Sequence, residues 1–237
     1  TEIALRARGD GSVVGGTTTF RPPLHGMSFA KLAGEAFHPE RLTPMDSWHR
    51  QAGAKMMVAG DWWRPNCYPS ETDQEIREAA IEEARWVRSA VGLIDVSTLG
   101  KLEIRGPDAA SFMDRFYTFR YDGQPMGRSR YVLATDEAGA IIDDGVACRL
   151  TDDHFYVSTT TGGIGAVYAS MLWWNIHWKL DVDITNVTSA FAAVNLAGPL
   201  SRHVLARLAH MDLEPDAFPY LAARQGDIAG VPARVMR

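Results

Sequence analysis

Two adjacent aspartates, Asp143 and Asp144, interrupt an otherwise apolar segment at residues 141–146 that has the character of a β-strand. Adjacent residues of a strand point to opposite faces of the sheet, so the two carboxylates do not face one substrate together. A carboxylate among aliphatic side chains is costly unless it meets hydrogen-bond donors or changes its pKa. One of the pair is therefore expected to meet a polar partner, and the pattern leaves a backbone turn and a ligand as open alternatives.

A second polar segment, at residues 158–163, consists of a serine, three threonines and two glycines. It follows a predicted strand and precedes a predicted helix, where hydroxyls and free backbone N–H groups form a polar pocket that tolerates anions. The segment is not a phosphate-binding loop, because it has no Gly-Lys-Thr and its adjacent glycines lack the spacing of a dinucleotide-binding motif. An ordinary helix cap with spare hydroxyls is the alternative.

The remaining sequence offers no other familiar catalytic or metal-binding pattern. No serine lies in a Gly-x-Ser-x-Gly elbow. The two cysteines, Cys67 and Cys148, lack Cys-x-x-Cys spacing and are predicted to be reduced thiols, so no metal is expected. No apolar run approaches the ~18 residues of a membrane span and no signal sequence is found, which predicts a cytoplasmic location.

The charge balance argues against two classes of partner. Lys and Arg total 24 whereas Asp and Glu total 29, which gives a formal net charge of −5. A chain that repels polyanions overall is poorly suited to nucleic acids or anionic membranes, because both require clustered cations. Neither is predicted as a partner.

Hydrophobic periodicity predicts a helix ahead of these polar segments. Ser70 and Thr72 each precede an acidic residue by three positions, Asp73 and Glu75, which is the capping-box pattern, and the helix is expected over about 72–90, where Gly92 stops it. Apolar residues then recur at spacings of three and four. One stripe of this helix is therefore expected to face a core.

A meander of three strands is predicted to carry the aspartate pair and the threonines. The strands are joined by tight turns and lie near 131–133, 140–149 and 154–159. A helix over about 164–175 follows. Its continuation contains Trp173 and Trp174, which are expected in the core or at a subunit interface; an exposed pair that stacks on a ligand is the alternative.

A strand, a Gly-Pro pair and a helix occur twice in the same order. The first strand, at 102–105, alternates as a half-buried strand does and ends at Gly106-Pro107. The second, at 192–196, ends at Gly198-Pro199. Pro at the first helical position favours a helix after each pair. The repetition predicts an internally duplicated α+β domain whose helices pack against one face of its sheets.

Taken in order, several segments resemble the folate-binding aminomethyltransferase family, which includes the T-protein of the glycine cleavage system. They are residues 43–49, 60–65, 91–101, 106–109, 139–144 and 198–199. Within the family, residues 97–101, 143–146 and 159–163 are most similar to the C-terminal half of the alpha subunits of heterotetrameric sarcosine oxidases. The resemblance implies an α+β aminomethyltransferase-like fold with mixed and antiparallel sheets, truncated at its C-terminal end.

The resemblance also implies a tetrahydrofolate site. The acid that lies near the reactive nitrogens of the folate in this family falls on Asp144, which is the candidate catalytic residue and is expected to be buried. The polar strand end beside the pterin falls on Thr159, Thr160 and Thr161, where T-proteins carry Asn-Ala-Ala-Asn. Tyr131 is assigned to the same folate-binding site.

Two domain segments follow from the resemblance. Residues 1–42, punctuated by Gly, Thr and Pro, resemble the tail and linker that leave an upstream dinucleotide-binding domain, and Thr19 within them is predicted to bind cofactor. Residues 43–237 are then the folate-binding domain. Besides tetrahydrofolate here, NAD is expected in the upstream domain and a flavin, FAD or FMN, in partner subunits. The expected partners are the beta, gamma and delta subunits, the amine and the folate.

The function implied is that of a sarcosine oxidase subunit. A flavin in a partner oxidises the N-methyl group of sarcosine to an iminium, which tetrahydrofolate traps as its methylene derivative while glycine is released. One alternative is a self-standing aminomethyltransferase that takes its one-carbon unit from a lipoyl carrier. Another is a non-catalytic assembly module of a related N-methyl amino acid dehydrogenase. The sequence leaves the identity of the oxidised amine open.

Overall fold

Short strands and helices follow one another along the chain, and the strands form several separate sheets. The structure, a computed structural model, describes residues 41–68 and 72–237. In chain order its elements are β1 (Arg41–Leu42), α1 (Asp46–Gln51), β2 (Lys55–Ala59), β3 (Trp62–Cys67), α2 (Asp73–Ser89), β4 (Gly92–Asp95), β5 (Gly100–Arg105), α3 (Ala109–Phe116), β6 (Arg128–Thr135), β7 (Ile141–Thr151), β8 (His154–Thr159), α4 (Ile164–Trp178), β9 (Asp183–Asn186), a 3-10 turn (Thr188–Ala190), β10 (Val194–Ala197), α5 (Ser201–Ala206), β11 (Ala223–Ile228) and β12 (Val231–Met236).

The largest sheet carries both polar segments. Its five strands lie in the order β6-β7-β8-β5-β9, and every neighbouring pair is antiparallel. The predicted meander is confirmed as β6, β7 and β8, because tight turns join these consecutive strands. β8 places the threonines at its end, directly before α4.

Helices α3 and α4 cover one face of this sheet and bury the main core. Alternate residues of each strand point toward them. The fully buried side chains of this cluster include Leu102, Ile104, Phe112, Met113, Phe155, Val157 and Met171. The predicted half-buried alternation of β5 is wrong, since Lys101 and Glu103, which point to the other face, are buried as well. Both faces of β5 are therefore covered by protein.

Both predicted Gly-Pro units are present, but their strands lie in different sheets. The first strand is β5 in the large sheet, whereas β10 pairs with β4 in a separate two-stranded sheet. Gly106 and Gly198 both have positive φ, at 136° and 115°. A Cβ atom on Gly106 would lie 2.2 Å from the carbonyl oxygen of Asp181, so the turn requires glycine there. The second helix, α5, is only six residues long and buries none of them.

The predicted capping-box helix is confirmed as α2 with Thr72 as its cap; the other predicted cap, Ser70, lies outside the described residues. The packing of α2 differs from the expectation. The Thr72 hydroxyl accepts from the backbone N–H of Glu75 at 3.2 Å, and the Glu75 carboxylate accepts from the N–H of Thr72 at 2.8 Å. No residue of the predicted apolar stripe joins a buried core within the described part of the chain, where Ile76 and Val87 are only half-buried. The helix ends at Ser89, and Gly92 begins β4 instead of capping it.

The tryptophan pair of α4 is not buried in the core, which was one of the two expected locations. Trp173 is 60% exposed and lies against His177, with ring centroids 4.5 Å apart. Trp174 is half-buried and stacks on Trp178. Among the residues that the structure describes, no helix combines the length and apolar character needed to cross a bilayer.

Candidate functional site

The two adjacent aspartates of β7 lie on opposite faces of the sheet, as their spacing predicts. Asp143 is 6% exposed, whereas Asp144 is exposed. The expectation that Asp144 is the buried acid is therefore wrong in this structure. At Asp144 the sheet is covered on the core face only, so this side chain lies on the open side. Its catalytic role stays a prediction.

Asp143 meets a backbone turn. Its carboxylate accepts hydrogen bonds from the backbone N–H of Thr160, with an N···Oδ1 distance of 3.3 Å, and from the Thr160 hydroxyl at 2.5 Å. Burial raises the pKa of the Asp143 carboxyl more than these hydrogen bonds lower it, and the negative charge of Asp144 adds to the increase. Of the two partners that the sequence left open for the buried aspartate, the backbone turn is the one observed.

The hydroxyls of the three predicted threonine contacts are all engaged within the protein. Thr159 is buried, and its hydroxyl donates to the carbonyl oxygen of Thr160 at 3.3 Å. The Thr160 hydroxyl also accepts from the backbone N–H of Gly163 at 3.1 Å. Thr161 and Thr98 are joined through their hydroxyls at 2.9 Å. The Thr160 hydroxyl thus bonds the start of α4 as the helix-cap alternative expects, but none of the three hydroxyls is spare, because each already has a partner within the protein.

The open face of the sheet brings Asp144 together with Tyr131. β6 and β7 pair so that Leu133 lies opposite Asp144 and Tyr131 lies opposite Val146. All four side chains therefore share one face. Tyr131 is 57% exposed there. The structure thus places two of the five predicted folate contacts on one accessible surface, and it places the threonines at the strand end beside Asp143. The predicted cofactor residue Thr19 lies outside the described residues.

The sequence analysis missed an ionic cluster on this same face. Glu103 accepts hydrogen bonds from Arg234 at 2.8 Å and from Arg105 at 2.7 Å. The guanidinium of Arg234 also lies over the rings of Tyr156 and Phe191, 4.9 and 4.7 Å from their centroids. Burial would raise the pKa of Glu103, but the hydrogen bonds and positive charges of the two arginines outweigh it and hold the pKa low. The alternating pattern of β5 predicts which face of the strand Glu103 lies on, but it does not predict that the distant Arg234 pairs with it.

A buried polar network supports the loop that contacts the threonines. Lys101 is 1% exposed, and its ammonium donates to the carbonyl oxygens of Ser97 at 2.8 Å and Leu99 at 2.9 Å. Burial lowers the pKa of Lys101 to about 8, while the nearby Asp95 carboxylate opposes this change. Asp95 in turn bonds to His49 at 3.1 Å. The buried ammonium of Lys101 therefore fixes the backbone of the loop 95–99.

The buried ammonium leads to a prediction about pH. Because the pKa of Lys101 is about 8 in the folded protein and 10.5 ordinarily, the unfolded chain binds more protons between these values. Rising pH therefore stabilises the folded state through this group. We expect the free energy of unfolding of the wild type, relative to Lys101→Met, to increase by about 1 kcal/mol per pH unit from pH 8 to 10. Urea unfolding of both proteins at each pH measures this difference, and a constant difference would contradict the prediction.

Among the described residues, no group of His, Cys, Asp or Glu side chains converges as a set of metal ligands. Cys67 and Cys148 are free thiols, as the sequence predicts. Cys148 is buried, and burial raises the pKa of its thiol. A buried thiol with a raised pKa is a poor nucleophile, so the exposed carboxylate of Asp144 is the more suitable reactive group on this face.

Comparisons with known proteins agree with this fold. The family model described as the GCVT N-terminal domain matches residues 45–237. The sarcosine oxidase subunit alpha of Corynebacterium sp. (strain U-96) is 44% identical over 230 residues, which cover 94% of this chain and 24% of that protein. The aminomethyltransferase of Thermotoga maritima is 31% identical over 198 residues, which cover 83% of this chain and 50% of that protein.

A solved structure gives the same result for the architecture. The glycine cleavage system aminomethyltransferase T of Bartonella henselae superposes with a TM-score of 0.66 at 22% identity, over 77% of this chain and 46% of that one. This match confirms the predicted aminomethyltransferase-like α+β fold with several sheets. The chain spans about a quarter of the length of its sarcosine oxidase alpha relatives and about half the length of the aminomethyltransferases.

Proposed function

Because this chain belongs to the GCVT N-terminal domain family, we propose that it forms the tetrahydrofolate-binding part of a sarcosine oxidase alpha subunit. The higher identity to sarcosine oxidase alpha subunits than to aminomethyltransferases supports this choice. In the proposed protein, residues 1–42 are the linker from an upstream NAD-binding domain and residues 43–237 are the folate-binding domain. The flavin belongs to partner subunits, and the enzyme is cytoplasmic.

The observation that carries the proposal is the different environment of the two aspartates. The Asp143 carboxylate accepts hydrogen bonds from the protein, whereas Asp144 presents its carboxylate on an accessible face beside Tyr131. The ring of Tyr131 offers an apolar surface for a flat ring system, and the carboxylate of Asp144 offers a hydrogen-bond acceptor for amine groups on that ring system. A reduced pterin has both features.

The chemistry assigned to Asp144 is proton transfer. A flavin held by a partner subunit would accept a hydride equivalent from the N-methyl group of sarcosine, which would leave an iminium. A folate amine attacks the iminium carbon to form a new C–N bond, its proton passes to the glycine nitrogen, and glycine departs as the original C–N bond breaks. Closing the methylene bridge between the two folate nitrogens releases a proton. We assign the acceptance of that proton to Asp144, whose exposure on the open face supports the assignment.

Titration calorimetry of the complete protein with tetrahydrofolate tests the binding step. We expect saturable binding, and we expect sarcosine turnover in the presence of tetrahydrofolate to give methylenetetrahydrofolate instead of free formaldehyde. Absence of any binding would contradict the proposal and favour the assembly module. An aminomethylated lipoyl carrier, supplied in place of sarcosine, provides a control. Product formation from the carrier alone would favour the self-standing aminomethyltransferase.

A further inference from the structure

We infer that Asp143 is a positioning residue, which holds the strand end 159–161 against β7 and thereby fixes the location of the Asp144 carboxylate. The inference rests on the proposed function, because it concerns the geometry of the same site. Asp143 itself lies on the core face of the sheet and does not reach the open face where the folate is proposed to bind. Its effect on the ligand is therefore indirect.

The first support is the contact itself. Asp143 lies in β7 and Thr160, 17 residues further along the chain, directly follows β8; both the backbone N–H and the hydroxyl of Thr160 donate to the one carboxylate. The Thr160 hydroxyl is bonded on its other side to Gly163 N–H. One carboxylate thus fixes the turn between β8 and α4. A buried carboxylate held by several donors is rigid, because releasing it would leave polar groups unpaired.

The second support is steric. A Cβ atom added to Gly163 would lie 2.4 Å from Oδ1 of Asp143 and 2.6 Å from the Thr160 hydroxyl oxygen. Gly163 has φ −84° and ψ −22°, a conformation that any residue adopts. Glycine is therefore needed here for space and not for backbone freedom. The turn is closed tightly around the Asp143 carboxylate.

The third support is a second hydrogen bond, which joins the strand end to the loop 95–99. Thr161 bonds to Thr98, which lies in the loop that the Lys101 ammonium holds. The threonine segment is thus fixed between β7 and this loop. Because Asp144 directly follows Asp143 in β7, anchoring the Asp143 side chain also fixes the backbone from which Asp144 projects.

The test compares two replacements of Asp143 with one of Gly163 in the complete protein. Asp143→Asn keeps an oxygen that accepts from Thr160, so its tetrahydrofolate affinity is expected to stay within about threefold of the wild type. Asp143→Ala leaves the Thr160 donors unpaired, and Gly163→Ala displaces the carboxylate. Both are expected to weaken tetrahydrofolate binding by roughly tenfold or more. Gly165→Ala, at a position with open space around it, is the matched control and is expected to bind as the wild type does.

Hydrogen exchange of the amides of residues 160–164 separates this inference from the proposed function. Faster exchange in Asp143→Ala and Gly163→Ala, but not in Asp143→Asn, is expected. If the wild type binds folate and all variants bind it equally, the positioning role is overturned while the proposed function stands. If the wild type binds no folate, the proposed function fails and so does the role of Asp143 at that site. Unchanged exchange in Asp143→Ala would show that the carboxylate does not hold the turn.

Discussion

Replacing Asp144 by Asn is expected to lower the rate of methylenetetrahydrofolate formation by about 10²–10⁴-fold in the complete enzyme. The amide keeps the size of the side chain but accepts no proton at neutral pH. Reduction of the flavin by sarcosine is expected to stay nearly unchanged, because that step occurs in a partner subunit under the proposed function. Stopped-flow absorbance of the flavin and chromatography of the folate products measure the two steps separately.

A neighbouring acid in the same hairpin provides the control for this variant. Glu137 is exposed in the turn between β6 and β7, so Glu137→Gln changes the same charge without touching the open face near Tyr131. We expect this variant to form methylenetetrahydrofolate at the wild-type rate. Equal rates of methylenetetrahydrofolate formation by Asp144→Asn and the wild type would reject the assignment of Asp144, whatever the effect on overall stability.

Elements with local signals could be predicted from the sequence. The meander needs only alternating apolar residues and turn residues between them, and both lie within a few positions of one another. The capping box of α2 is likewise local, and the two Gly-Pro pairs mark turns in which Gly106 and Gly198 take positive φ. These features are confirmed because the residues that determine them are neighbours in the sequence.

Features that depend on distant contacts could not be predicted. The pattern of β7 shows that its two aspartates face opposite sides, but which of them is buried depends on α3 and α4 covering one face. The partner of Asp143 lies 17 residues away, and the Arg234 that pairs with Glu103 lies 131 residues away. The apolar stripe of α2 predicts a buried surface, but periodicity does not show which part of the protein packs against it.

Replacing Gly145 by Ala is expected to destabilise the domain by about 3 kcal/mol or more, since overpacking between fixed strands costs 1–3 kcal/mol and occasionally more. An added Cβ would lie 1.9 Å from the backbone carbonyl oxygen of Ser158 and 2.8 Å from its carbonyl carbon. Backbone atoms do not move aside as a flexible side chain does, so β7 and β8 must separate. Because Asp144 precedes Gly145, the same displacement is expected to weaken tetrahydrofolate binding.

Urea unfolding followed by circular dichroism measures the loss of stability, and Gly165→Ala is again the matched control. That glycine lies inside α4 with no atom within 4 Å of an added Cβ. Alanine there removes the entropic cost of glycine in a helix, so Gly165→Ala is expected to raise the free energy of unfolding by about 0.5–1 kcal/mol. Opposite signs for one substitution type would show that close strand approach at Gly145, and not the loss of a glycine as such, causes the loss of stability. Coinciding unfolding curves for Gly145→Ala and the wild type would disprove that close approach.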